Sequence, residues 1–124
     1  MKLLLDIDLP VELTNDNDGR SHHYRRTAKR RKEYEMLFRT FPAMMSKKFV
    51  VPTHNTVTRV LGPGQSLWDS SSIGRGNWKE VEDALVAIGW WPDDGPCHIV
   101  TTDFRQDSSR RQCGPAINLQ VHRA

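Results

Sequence analysis

Long apolar runs are missing from this chain. The longest is Leu3-Leu4-Leu5, whereas a helix that crosses a bilayer needs roughly 20 consecutive apolar residues. Asp6 and Asp8 follow at once, so the first residues lack the apolar segment of a secretory signal peptide. We therefore expect a cytoplasmic protein without a membrane span.

Cysteine is equally scarce. Cys97 and Cys113 are the only two, and no Cys-x-x-Cys spacing is present. This excludes the usual patterns of a structural zinc site and of a disulfide framework. Two reduced thiols are expected in a reducing compartment.

Acidic residues are absent between Arg20 and Lys32, although the whole chain has a net charge of only +3. A cluster of positive charge suits contact with a phosphate backbone, and a solvated basic helix face is the alternative. The sequence thus predicts a DNA-binding surface formed by Arg20, Arg25, Arg26, Lys29, Arg30 and Arg31, with Lys32 in the same tract.

The apolar periodicity predicts one domain, residues 1–124, of the α/β (α+β) class. We expect a mixed β-sheet with two main helices packed on one face. The predicted strands are 2–9, 49–51, 56–61, 98–104 and 117–122, and the predicted helices are 21–41 and 78–88. Residues 62–76, rich in Gly and Ser, are expected to form a mobile loop that carries Trp68 and Asp69.

Apolar spacing also predicts which faces are buried. Leu3, Leu5, Ile7 and Leu9 should share one face of the first strand, and Tyr34, Leu37, Phe38 and Phe41 one stripe of the first helix, which Pro42 should end. Asn77 with Glu80 resembles a capping box at the start of the second helix, and Gly89 suits its end. The apolar face of that helix is predicted to contain Trp78, Val81, Leu85 and Ile88.

The segment from Asp83 to Asp94, Asp-Ala-Leu-Val-Ala-Ile-Gly-Trp-Trp-Pro-Asp-Asp, resembles the core of the RusA-type Holliday-junction resolvases. These are small endonucleases that cut four-way DNA. The likeness is strongest from Asn77 to about Thr101. In the first half it consists of Leu9-Pro10, an Asn-containing loop and a basic helix. It implies a RusA-like fold, a homodimer and a phage origin, which would place the protein in the host cytoplasm.

In that family Mg²⁺ is held by three aspartates, two of them in an Asp-x-Asp-Asn motif and the third ending a later pair. Here Gly74 and Gly76 stand at the acidic positions of the motif, and Asn77 matches its Asn. The resemblance implies that Asp94 is the third carboxylate, with Asp93 beside it at the metal. It also assigns Lys79 to supporting the site or contacting DNA.

Other residues are candidates to compensate for the missing acids. Asp69 on the preceding loop, or Glu80 and Glu82 on the helix, would replace part of the ligand set that Mg²⁺ needs. Arg75 would add positive charge to the cleft and join the DNA-binding set. Trp68 and Trp78 are candidates for stacking on bases at a branch point, with a core role as the alternative for Trp78.

Three functions follow from these features. The first is a Mg²⁺-dependent endonuclease for branched DNA. The second is a relative with reduced or lost activity that still binds DNA or sequesters a host protein. The third is a protein-interaction module that reuses the fold, and Gly74-Arg75-Gly76 favours the second and third.

Overall fold

One four-stranded sheet and the helices on one of its faces make up the fold of the computed structural model. The structure describes residues 1–14, 24–69, 72, 74 and 76–124, with only the backbone of 24–26. The elements are β1 (Leu3–Leu9), α1 (Tyr24–Arg39), α2 (Pro42–Met45), β2 (Thr53–Val60), α3 (Trp78–Ala87), β3 (Ile99–Asp107) and β4 (Ala116–Arg123). A short 3₁₀ turn, Arg111–Cys113, precedes β4.

The sheet is mixed, with spatial order β1-β4-β2-β3. β4 runs antiparallel to both β1 and β2, whereas β2 and β3 are parallel and are joined by the segment that contains α3. The predicted mixed sheet with two main helices is therefore confirmed. No helix among the described residues is long and apolar enough to cross a membrane.

The core lies between the helices and the inward face of the sheet. Val57 on β2 and Leu119 and Val121 on β4 are fully buried there, as are Val81 and Leu85 on α3. The alternation in the two strands and the helical spacing in α3 put these side chains on facing surfaces. Trp78 is 4% exposed, so the core role is confirmed for it and base stacking is excluded.

An aromatic cluster fixes the chain just after α3. Trp90 and Trp91 are 0% and 1% exposed, and their ring centroids lie 5.9 Å and 5.3 Å from that of Phe49. The indole of Trp90 donates to the Met44 carbonyl at 2.7 Å, and that of Trp91 to the Thr53 hydroxyl at 3.2 Å. Gly89 has φ of +103°, the left-handed conformation expected at this helix end. The cluster therefore sets the position of the acidic pair that follows it.

One predicted strand is absent and two predicted strand boundaries differ, one of them because β3 ends at Asp107 and not at residue 104. Residues 49–51 are not a strand, because the Phe49 amide donates to the Trp90 carbonyl at 2.8 Å and its ring joins the aromatic cluster. The strand predicted to begin at residue 56 begins three residues earlier, at Thr53. Pairing with β3 on one side and β4 on the other outweighs the local turn preference of these residues.

Two predicted apolar faces also differ. A bulge between Leu3 and Leu5 puts Leu3 opposite His122, where it is 48% exposed. Leu5, Ile7 and Leu9 face the core as predicted, and Leu4 packs against it as well. In the first helix, Phe38 is fully buried, but Leu37 is 36% exposed. The contact of α1 with α3 is narrower than the apolar stripe suggests. The end of the first helix is close to the predicted one, since α1 ends at Arg39 and Pro42 begins α2.

The predicted capping box at Asn77 and Glu80 was wrong, because both side chains have distant partners. The Asn77 amide is 0% exposed and makes no cap hydrogen bond. Its Oδ1 accepts from the Thr14 amide at 2.8 Å, and its Nδ2 donates to the Glu12 carbonyl and the Tyr34 hydroxyl, each at 2.8 Å. Asn77 therefore joins the segment after β1, the first helix and the start of α3.

Asn77→Ala should lower the free energy of unfolding by about 3 kcal/mol, because it leaves buried partners without hydrogen bonds. Tyr34→Phe removes one of the same bonds and should cost about 1 kcal/mol. Urea unfolding of both variants measures the difference. Equal losses would contradict a role for Asn77 in joining three segments.

Candidate functional site

Lys79 lies at the centre of a carboxylate cluster on the first turns of α3. Its Nζ is 3.1 Å from Asp83 Oδ1 and 3.8 Å from Glu82 Oε1, and it donates to Asp94 Oδ2. Asp83 and Glu82 are placed by helical i,i+4 and i,i+3 spacing, and Asp94 by the aromatic cluster. The pairing of Lys79 with Asp94 brings together two of the predicted catalytic residues.

Asp93 points away from this cluster. Its Oδ1 accepts from the Gly95 amide at 2.7 Å, and its Oδ2 lies 3.7 Å from Nε2 of His98. The first interaction is a local turn in which an aspartate binds its own backbone two residues on. The two neighbouring aspartates therefore have different partners.

Asp69 is exposed on the loop after β2, where its carbonyl accepts from the Ser72 amide at 2.9 Å. Glu80, a second candidate to replace a missing acid, is paired with Arg30 on the other side of α3. Only Glu82 of the three candidate replacements has a contact with Lys79.

Gly74 is exposed and Gly76 buried. A Cβ at Gly74 would lie 3.2 Å from the Phe104 ring, which is tight for any side chain in the first acidic position of the motif.

These side chains do not fit a magnesium ion. In the part of the chain that the structure describes, no three His, Cys, Asp or Glu side chains form a group that could hold a metal. Mg²⁺ needs several oxygen ligands in nearly octahedral geometry, whereas Asp94 is paired with an ammonium group. The Mg²⁺ site at Asp93 and Asp94 is a prediction from the resemblance alone, and this arrangement of side chains does not support it.

Glu82 is the buried member of the carboxylate cluster. It is 8% exposed, and burial raises the pKa of its carboxyl group above the usual 4.5, against the opposing effects of the Lys79 charge and the Trp78 indole. The Trp78 Nε1 donates to Glu82 Oε2 at 3.3 Å. A carboxyl group that is costly to ionise thus lies beside the exposed pair of Lys79 and Asp94.

The basic tract on α1 divides into structural and exposed parts. Arg30 Nη2 donates to Glu80 Oε1 at 2.7 Å, with the two side chains 21% and 4% exposed. Lys29, Arg31 and Lys32 are exposed, and Lys29 makes only a long contact of 3.9 Å with Glu33. Arg30 therefore connects α1 to α3, and the exposed face consists of its neighbours.

The other four members of the predicted DNA-binding set are Arg20, Arg25, Arg26 and Arg75. Arg20 and Arg75 lie outside the described residues, as do the side chains of Arg25 and Arg26.

The basic face and the carboxylate cluster meet at one groove between α1 and α3. Arg31 and Asp83 both line this groove, which has a volume of about 350 Å³. Asp83 thus belongs to both surfaces. The i,i+4 spacing from Lys79 in the sequence indicates the ion pair that Asp83 makes with that lysine. That Asp83 lines the same groove as Arg31 depends on the packing of α1 against α3.

Trp68 is held by Arg59 and Gln106, which together form a polar clamp, and its indole is not exposed on both faces. The guanidinium carbon of Arg59 lies 3.6 Å from the centre of its ring, so one face of the indole is covered. Gln106 bonds both the amide and the carbonyl of Trp68 at 2.9 Å, and Arg59 donates to Gln106 and to the Ser66 carbonyl. The clamp ties part of the loop predicted to be mobile to β2 and β3.

Arg30→Ala should lower the free energy of unfolding by about 3 kcal/mol, because it leaves the buried Glu80 without its charged partner. Arg31→Ala, one position along the same helix, should change it by less than about 0.5 kcal/mol. Chemical unfolding of both variants tests this. If both changes proved equally mild, Arg30 would belong with the exposed face.

Glu82→Gln should reduce the loss of stability between about pH 4 and about pH 7. A carboxyl group whose pKa is raised by folding stabilises the protein below its unfolded pKa, and this contribution is lost as the pH rises through the folded pKa. Glutamine stays neutral throughout. Urea midpoints at the two pH values measure the effect, with the exposed Glu33→Gln as control. A wild-type pH dependence in Glu82→Gln would contradict the assignment.

No protein-family model matches this chain, and no curated protein sequence is significantly similar to it.

Proposed function

We propose that this chain is a RusA-like DNA-junction protein that binds branched DNA through the exposed basic face of α1, with Mg²⁺-dependent nicking reduced or lost. The observation that carries the proposal is the separation of the basic tract into a half-buried Arg30, which pairs with Glu80, and an exposed face of Lys29, Arg31 and Lys32. A homodimer, a phage origin and a location in the host cytoplasm belong to the same proposal.

Binding through this face is an interaction with phosphates. Lysine and arginine side chains that neutralise phosphates release counterions, so the affinity falls steeply with salt. Such contacts position a protein on DNA without reading its sequence. Recognition of a four-way junction would then depend on the shape of the branched backbone.

The pairing of Asp94 with Lys79 supports reduced nicking. The ammonium group of Lys79 donates to the carboxylate that the resemblance assigns to the metal. A positive side chain in that position competes with a cation for the same oxygens. Asp93 adds no ligand there, because its carboxylate bonds its own turn and faces His98.

A second candidate is a protein-interaction module that acts on a host protein. Exposed apolar side chains at the end of α1 and on α2 favour it. Met36, Leu37, Phe41 and Met45 are 62%, 36%, 41% and 39% exposed. Clustered exposed apolar residues are typical of interaction surfaces.

Arg31→Ala with Lys32→Ala should weaken binding to a labelled four-way junction. Loss of two phosphate contacts should also flatten the slope of log affinity against log salt by about 2. Gel shifts over a salt series measure both effects. Lys47→Ala with Lys48→Ala removes the same charge from the chain away from α1 and should leave the slope unchanged.

The same reactions test nicking. Incubation with Mg²⁺, with Mn²⁺ and with EDTA should give a shifted junction with few or no nicks. Efficient paired nicks that disappear in Asp94→Asn would contradict the reduced activity and restore the endonuclease. Absence of a shift in the wild type would contradict DNA binding and leave the interaction module.

A further inference from the structure

The face of the sheet opposite the helices is mostly polar, with Leu3 of β1 as an exposed apolar side chain opposite His122. Alternation places Asp6 and Asp8 of β1 and Asn118 and Gln120 of β4 on this open face. The carboxylate of Asp6 accepts from Asn118 at 2.7 Å and from Gln120 at 3.1 Å, and these hydrogen bonds lower its pKa. In this part of the face, the carboxylates and the side-chain amides form hydrogen bonds with each other.

Two histidines stand side by side at the other end of the same face. His54 on β2 and His122 on β4 are direct partners in the antiparallel ladder. Directly opposed residues in such a ladder point to the same side, with Cβ atoms about 5 Å apart. Both side chains line a depression of about 500 Å³, together with Thr101, Asp103 and Arg105.

His54 is oriented by its neighbour on β3. Its Nδ1 lies 2.6 Å from the Thr101 hydroxyl oxygen. When Nδ1–H donates to that oxygen, the lone pair of Nε2 is free to bind a ligand. A hydrogen bond on one ring nitrogen that fixes the tautomer is the usual support for a metal-binding histidine.

We propose that His54 and His122 form a binding site for a borderline divalent transition-metal ion such as Zn²⁺, Ni²⁺ or Cu²⁺. Imidazole nitrogen suits these metals, and affinity for one such site increases from Ni²⁺ to Cu²⁺ and is lower for Zn²⁺ than for Cu²⁺. The protein supplies two nitrogens and water fills the other positions. The carboxylate of Asp103 in the same depression favours a cation, whereas Arg105 opposes it.

This site is independent of the proposed DNA-binding function. It lies on the open face of the sheet, whereas the basic tract and the carboxylate cluster are on the helices. It also differs in chemistry, because Mg²⁺ prefers hard oxygen ligands and should not bind a histidine pair. A bound ion would link β2 to β4 and stabilise the folded state by an amount that grows with the logarithm of the free-ion concentration once this exceeds the dissociation constant.

Zinc titration of the full chain without an affinity tag tests the site. His22 and His23, which lie outside the described residues, are first changed to Ala so that they do not contribute. Ring-nitrogen NMR should show Zn²⁺ shifting the Nε2 signal of His54 and a ring signal of His122, with no shift from Mg²⁺. A zinc-induced shift confined to His98 would overturn the proposal.

Calorimetry with Ni²⁺ gives the matched comparison. His54→Ala and His122→Ala should each weaken binding by at least about tenfold, and Thr101→Val by about tenfold through lost orientation of His54. Thr101→Ser keeps the hydroxyl and should bind like the wild type, as should the control His98→Ala. Wild-type affinity in both His54→Ala and His122→Ala would also overturn the proposal.

Discussion

The buried amide of Asn77 is the interaction on which the arrangement of the helices depends. From its position before α3 it makes two hydrogen bonds to the segment after β1 and one to the first helix. The Arg30–Glu80 ion pair adds a second polar connection between the same two helices. A buried polar group is tolerated only when its partners are in place. Any displacement of α1 from α3 therefore costs these bonds as well as apolar contact. Together they fix the groove that Arg31 and Asp83 line.

Opposite charges are divided between the two sides of this groove. Glu82, Asp83 and Asp94 surround Lys79. Burial makes Glu82 costly to ionise, and exposed cations lie on the neighbouring helix. This arrangement favours an anionic partner on the α1 side over a divalent cation on the α3 side. The proposed reduction of nicking and the proposed retention of DNA binding are thus two consequences of one charge pattern.

The two faces of the sheet have separate roles in this view. The inward face supplies the core, and the aromatic cluster of Phe49, Trp90 and Trp91 at its edge sets the course of the chain toward Asp94. The outward face carries no apolar cover among the described residues of β2 and β4 and presents amides, hydroxyls and two paired histidines. Chemistry on the open face can therefore change without disturbing the packing that positions the helices.

Local patterns in the sequence determined the mixed α/β character, the closing strand with Ile117, Leu119 and Val121 inward, the apolar face of α3 and the left-handed end at Gly89. These depend on neighbours within one or two turns, or on alternation along one strand. The pairing of His54 with His122, the partners of Asn77 and the removal of Arg30 from the exposed basic face required the tertiary structure. Each of these interactions joins residues that are tens of positions apart in the sequence. A capping signal or a run of basic residues does not specify which distant group will become the partner of a given side chain. Strand register and helix packing determine those partners, because a buried polar group must form its hydrogen bonds with whatever groups the fold places next to it.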